Sequence, residues 1–144
     1  MTAEEPSVAK AEQAMPAIKA DAKWATQLLV RGASKEPGAP FYRPEVELME
    51  SMPVQFALLL QRDLPMAGGK LVCDDLAVDR KAGRILAMVT VQRPEGPTAT
   101  VNTPTSVRLP LGHLREGRYR LDLLLRSSKD ARYELMQSLT LLAK

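Results

Sequence analysis

The chain reads as an all-β protein, an antiparallel sandwich of about seven or eight strands. Three observations carry this. In Gly117-Arg-Tyr-Arg-Leu-Asp-Leu-Leu-Leu-Arg126, Tyr119, Leu121, Leu123 and Leu125 share one face, while Arg118, Arg120, Asp122 and Arg126 share the other. That period of two belongs to a half-buried strand. Gly- and Pro-based turn signals recur between short apolar runs, as they do between the strands of a sandwich. No long helical pattern is present, and no strand-helix alternation of the kind that builds a parallel sheet.

Each element can be justified in order. Residues 1–22 are rich in Ala, Glu, Lys and Pro, with Pro6 and Pro16 as interruptions, and read as a flexible tail or tether. A short amphipathic helix over Val8–Met15 is the only regular element this stretch supports. The sandwich domain is expected over residues 23–144. Trp24–Arg31 forms its first strand, ended by Gly32, and the polar segment Ala33–Pro40 is a loop. Phe41–Pro44 and Glu45–Leu48 alternate, as do Val54, Phe56, Leu58 and Leu60. A single helix across Glu45–Leu60 would hold Pro53 in its interior at a cost of about 3 kcal/mol, so two strands around a bend are expected.

Gly68-Gly69 breaks the chain before the runs Lys70–Val78 and Arg84–Arg93. These flank Asp79-Arg-Lys-Ala-Gly83, a hairpin with Gly83 in the left-handed region. Pro94–Pro97 is the next turn, Thr98–Thr103 an edge or loop, and Val107–Leu111 a short strand. In the last strand Tyr133, Leu135, Leu139 and Leu141 share a face opposite Arg132, Glu134, Ser138 and Thr140, and Gln137 interrupts the series at a bulge or rim position. Tyr119, Leu121, Leu123 and Leu125 are expected to pack against Tyr133, Leu135 and Leu139.

The run Leu114-x-x-Gly117-x-Tyr119, followed by Leu121 and Leu123, resembles the tyrosine corner of immunoglobulin-like and fibronectin-type-III-like sandwiches. The resemblance covers roughly residues 23–144. It implies that the Tyr119 hydroxyl bonds to backbone a few residues upstream. The paired cysteines of antibody domains and the Trp between them are lacking, and Trp24 lies too early to be that residue. An antigen-receptor role is therefore not implied, whereas bacterial-type adhesion, assembly and accessory modules of this shape remain open.

At 144 residues the chain can bury a core without disulfide or metal staples. The net charge of +3, from 20 basic against 17 acidic residues, makes no dense basic patch, and an aromatic content of 4% offers no stacking platform for bases. Nucleic acid is accordingly not expected as a partner. Cys73 is the only cysteine, which precludes an intramolecular disulfide and reads as a buried small hydrophobe. No apolar run is long enough to span a membrane. Met1-Thr-Ala-Glu-Glu-Pro has neither the basic start nor the apolar segment of a signal peptide. The compartment reads as cytoplasmic if Met1 is the native start, and as periplasmic or extracellular if an export signal preceded it.

No cofactor or metal is expected. His113 is the only histidine, about forty residues from Cys73 and without zinc-ligand spacing. Met49, Met52, Met66, Met88 and Met136 are scattered singly, as gap fillers are. Asp74, Asp75 and Asp79 suggest a calcium loop, but strand alternation places Val72, Asp74, Leu76 and Val78 on one face and Asp75 and Asp79 on the other. Solvated carboxylates paired with Arg80, Lys81 or Arg84 follow from that. There is no nucleophile elbow for a catalytic triad, His113 reads as a turn or packing residue, and Gly68-Gly69 lacks a phosphate-loop context. No catalytic residue is assigned.

The remaining signal is the outward face of the corner strand. Arg118, Arg120 and Arg126 present planar forks suited to carboxylates or sulfates, and Leu124 among them is typical of an interface core. Pairing with Asp122, Glu134 or Glu116 is the structural alternative. The expected function is that of a non-enzymatic module making protein–protein contacts, an accessory or structural part of a larger extracytoplasmic or cell-envelope assembly. The alternative is recognition of an anionic ligand or polysaccharide through the arginine face of Arg118, Arg120, Leu124 and Arg126.

Overall fold

Alternation and turn chemistry generate eight strands in the computed structural model, which describes residues 18–19, 21–32, 42–97 and 99–144. The tail helix expected over Val8–Met15 and the loop Ala33–Pro40 lie outside these residues. In order the strands are β1 (Leu28–Arg31), β2 (Tyr42–Met49), β3 (Gln55–Leu64), β4 (Lys70–Asp79), β5 (Arg84–Gln92), β6 (Thr103–Gly112), β7 (Gly117–Arg126) and β8 (Glu134–Ala143). No helix occurs among the described residues. The chain is all-β, with a five-stranded sheet β1-β8-β7-β5-β4 packed on a three-stranded sheet β2-β3-β6.

The core between the sheets is mostly aliphatic. Ile85, Ala87, Val89, Leu121, Leu123, Leu139 and Leu141 from one sheet meet Phe56, Leu58, Leu60, Val107 and Leu109 from the other, all buried. The bend at Pro53 separates β2 from β3 as expected. Asp79–Gly83 closes the β4–β5 hairpin, with Gly83 at φ 68° and the Asp79 carboxylate accepting from the Lys81 and Ala82 amides at 3.1 and 3.0 Å. The first strand is shorter than expected. Trp24 instead forms an isolated bridge to Arg115, whose guanidinium lies 3.7 Å above the indole ring.

One pairing departs from the antiparallel arrangement expected: β5 and β7 run parallel, with Ile85 opposite Leu121 and Val89 opposite Leu125. The cause is topological. Between them the chain crosses to the other sheet as β6, and a strand that returns after such a crossover lies parallel to its neighbour.

Two bulges also reverse the expected alternation, since one extra residue moves every following side chain to the opposite face. In β8 the register slips between Gln137, opposite Leu123, and Leu135, opposite Leu124. Leu139 therefore joins the core as expected, but Leu135 does not: it is 58% exposed. Tyr133 likewise stays outside the buried cluster. In β4 the slip lies between Cys73 and Asp75. Cys73, Leu76 and Val78 pack against the core, while Val72 is exposed and Asp74 turns outward, which corrects the single face expected for Val72, Asp74, Leu76 and Val78.

The corner is built from Tyr119, fully buried, whose hydroxyl donates to the Arg115 carbonyl at 3.0 Å. Tyr119→Phe deletes this bond, and a cost of about 0.5–1.5 kcal/mol is expected in chemical denaturation. No change in the denaturation midpoint would contradict the structural role of the hydroxyl. The packed unit also reaches upstream of the boundary expected at residue 23. Ile18 is buried against Gly83 and Gly117, and its amide donates to the Lys81 carbonyl at 2.8 Å.

Candidate functional site

The outward face of the five-stranded sheet collects the arginines singled out in the sequence. Register places Met88 beside Leu124 and Leu124 beside Leu135, a row of apolar side chains running across three strands. The next row carries Ala77, Leu86 and Asp122, with Leu86 39% exposed. Arg120 and Arg126 lie on either side of this patch along β7, and Arg118 lies at the start of the strand.

Two polar clusters frame the patch. On one side the Arg120 Nε donates to the Asp122 carboxylate at 3.0 Å, Ser138 Oγ donates to the same oxygen at 2.7 Å, and Arg84 approaches the other oxygen at 3.7 Å. On the other side Thr90, a buried polar side chain, links three strands. Its hydroxyl donates to Asp74 Oδ2 and accepts from Arg126 Nε at 2.7 Å. Tyr133 donates to the same Asp74 oxygen at 2.5 Å, with the Arg126 guanidinium 4.6 Å above its ring. Arg126 also donates to the Lys129 carbonyl at 3.0 Å.

Burial works against the charged form of Asp74, but bonds from Thr90 and Tyr133 and the charges of Arg126 and Lys129 outweigh it and hold its pKa below the ordinary value. The same bond, with some desolvation, pushes the Tyr133 hydroxyl up. A depressed carboxylate pKa stabilises the fold above the unfolded pKa of about 3.9, and that contribution is lost as pH falls through the folded value. Asp74→Asn is therefore expected to cost about 1 kcal/mol at pH 7. The gap to wild type should close in urea titrations taken progressively below pH ~4. A constant gap down to pH ~2 would show that the charge of Asp74 is not what matters.

The four residues of the expected face thus do lie on one face, though their states differ. Arg120 and Arg126 are tied to carboxylates on the same face, Asp122 being the partner foreseen and Asp74 one that was not. Asp74 pairs with Arg126 and not with Arg80, Lys81 or Arg84. Arg80 instead donates to the His113 carbonyl at 2.8 Å, tying the β4–β5 turn to the end of β6. Arg118 is exposed and has no ion-pair partner among the described residues. Leu124 is half-buried between Met88 and Leu135.

Met88, Leu86 and Leu135 complete the patch and were missed in the sequence. For β5 a signal existed: Ile85-Leu-Ala-Met-Val89 is apolar on both faces, the pattern of a strand with something to cover on each side.

The remaining candidates take structural places. Cys73 is half-buried, burial pushes its thiol pKa up, and its Sγ lies 3.4 Å from the Asp75 carbonyl, so nothing activates it as a nucleophile. His113 donates from Nδ1 to the Val54 carbonyl at 3.2 Å and meets the Trp24 ring edge-on. Among the described residues no three His, Cys, Asp or Glu side chains gather into a metal-binding group. No helix there is long and apolar enough to cross a membrane.

Fold and face together define a β-sandwich with an apolar patch framed by self-neutralised ion pairs on its larger sheet. Compared with protein-family models, curated protein sequences and solved structures, the chain matches none of them.

Proposed function

We propose that this chain is a non-enzymatic β-sandwich module that binds another protein through the outer face of the five-stranded sheet, as an accessory or structural part of an extracytoplasmic assembly. One observation carries the reading: the Met88–Leu124–Leu135 row, with Leu135 58% exposed and Leu86 beside it, forms an apolar patch between the Arg120–Asp122 and Arg126–Asp74 ion pairs. An apolar centre with a polar rim is the anatomy of a protein-binding patch. The other sheet's outer face differs, carrying the Glu47–Arg108 ion pair at 2.9 Å. Kinship with immunoglobulin-like sandwiches is supported by the Tyr119 corner, and the parallel β5–β7 pair is a departure from their antiparallel sheets.

Recognition of an anionic polymer by the same face has less support. Arg120 and Arg126 already face Asp122 and Asp74, so a polyanion would have to displace or share those carboxylates.

The test is a photo-cross-linker at position 135, with position 106 on the opposite sheet as control. Partner adducts are expected from 135 alone. With the partner so identified, Leu124→Asp should weaken binding roughly thirtyfold or more with little loss of stability, and binding should depend only weakly on salt. Undiminished binding by that variant would remove the face from consideration.

A further inference from the structure

A second feature lies at one pole of the sandwich, where β3, β5 and β7 end and β8 begins. There the two sheets part and leave a cavity of about 350 Å³. Its apolar lining comes from both sheets: Leu64 and Met66 from the end of β3, Val91 and Leu125 from the ends of β5 and β7, and Met136 from the bulge of β8. Met side chains are unbranched and polarizable, and they adapt to ligands of varied shape. The bulge is what turns Met136 toward this opening.

Charge at the mouth is one-sided. Arg62, Arg93 and Arg132 stand against Glu134 as the single lining carboxylate, and they arrive from three separate segments of the chain. Asp63 and Asp130 are sequence neighbours but do not line the cavity. Arg93 and Arg132 are exposed and have no carboxylate partner among the described residues, whereas Arg62 is half-buried. An apolar pocket with a few convergent polar groups is the ordinary form of a small-molecule site, and this one falls near the lower end of the usual volume range of about 300–1,000 Å³. Guanidinium groups at its mouth select a planar anion.

We propose that this pole binds a single-chain carboxylate amphiphile, a medium-chain fatty acid, with the alkyl chain between the sheets and the carboxylate at Arg93 and Arg132. The cavity accepts an unbranched chain because the apolar part of its lining is aliphatic and thioether, from Leu64, Met66, Val91, Leu125 and Met136. The head group stays at the rim, where the arginines are hydrated, so no unpaired charge is buried. This site lies between the sheets and is independent of the outer-face reading.

The experiment follows the methyl resonances of Met66 and Met136 in the full chain during titration with decanoate, 1-decanol and acetate. Decanoate should shift both methyls saturably. Decanol should bind about tenfold more weakly or worse, because it lacks the charge-assisted bonds, and acetate should leave the methyls unmoved. Arg93→Gln with Arg132→Gln, both at exposed positions, should reduce decanoate binding to the level of decanol without changing decanol itself. Met136→Trp, which fills the cavity, should abolish both. Absence of saturable decanoate shifts would overturn the proposal, as would equal binding of decanoate and decanol or unchanged decanoate binding by the double arginine variant. Should Met136→Trp fail to fold, the arginine variant and the decanol comparison decide the matter.

Discussion

Gly83→Ala is expected to destabilise the protein by about 2–4 kcal/mol. Gly83 sits at φ 68°, where an L side chain is strained, and a Cβ there would lie 2.7 Å from the Arg118 backbone carbonyl oxygen. Relief would need backbone movement, because the turn is held from both sides. The Gly83 amide donates to the Asp79 carbonyl at 2.9 Å, and its carbonyl accepts from the Arg120 amide at 2.8 Å. That second bond opens the parallel β5–β7 pairing, so the substitution strikes the hairpin and the sheet centre together. Urea denaturation of the variant measures the effect, and a loss below about 1 kcal/mol would show that the turn yields freely. Gly117, at φ 150°, is also strained for an L side chain. There a Cβ would meet the tip of the buried Ile18 side chain and not a backbone carbonyl.

Leu121→Ala should cost about 2–5 kcal/mol, whereas Leu124→Ala on the same strand should cost about 1 kcal/mol or less. Leu121 is fully buried in the middle strand between β5 and β8, opposite Ile85 and Leu139. Its removal leaves a cavity that neighbours held on both sides cannot close. Leu124 points to the other face, where solvent fills the space. The pair of variants reads out which face of β7 is the core, and equal losses would require a second layer over the outer sheet in the isolated protein.

Much of this architecture was legible in the sequence because it depends on local period and local turn chemistry. Alternation from Gly117 to Arg126 is enough to separate Tyr119, Leu121, Leu123 and Leu125 from Arg118, Arg120 and Arg126, since successive side chains of a strand must point opposite ways. The Asp79–Gly83 hairpin follows from a short polar connection ending in glycine. Pro53 divides β2 from β3 because it cannot sit inside a helix. Even the irregularity near Gln137 was signalled by a polar residue within an apolar series.

Less of the candidate site could be read in this way. Leu124 among the arginines marked the outer face, but the row it forms with Met88 and Leu135 depends on which strands become neighbours and in what register. Asp74 looked like a solvated carboxylate near Arg80. Its link to Thr90, Tyr133 and Arg126 required a bulge in β4 and the meeting of segments far apart in the chain.

What the sequence determined by itself is therefore the class of fold, the strands and the inward face of the corner strand, all set by interactions between residues close along the chain. Tertiary structure alone decided the parallel β5–β7 pairing, the side on which Leu135 and Asp74 lie, the burial of Ile18 against two glycines and the gathering of Arg62, Arg93 and Arg132 at one pole. The physical reason is common to all four. Each depends on register and on contacts between distant segments, and in a sheet a shift of a single residue exchanges the buried face for the exposed one.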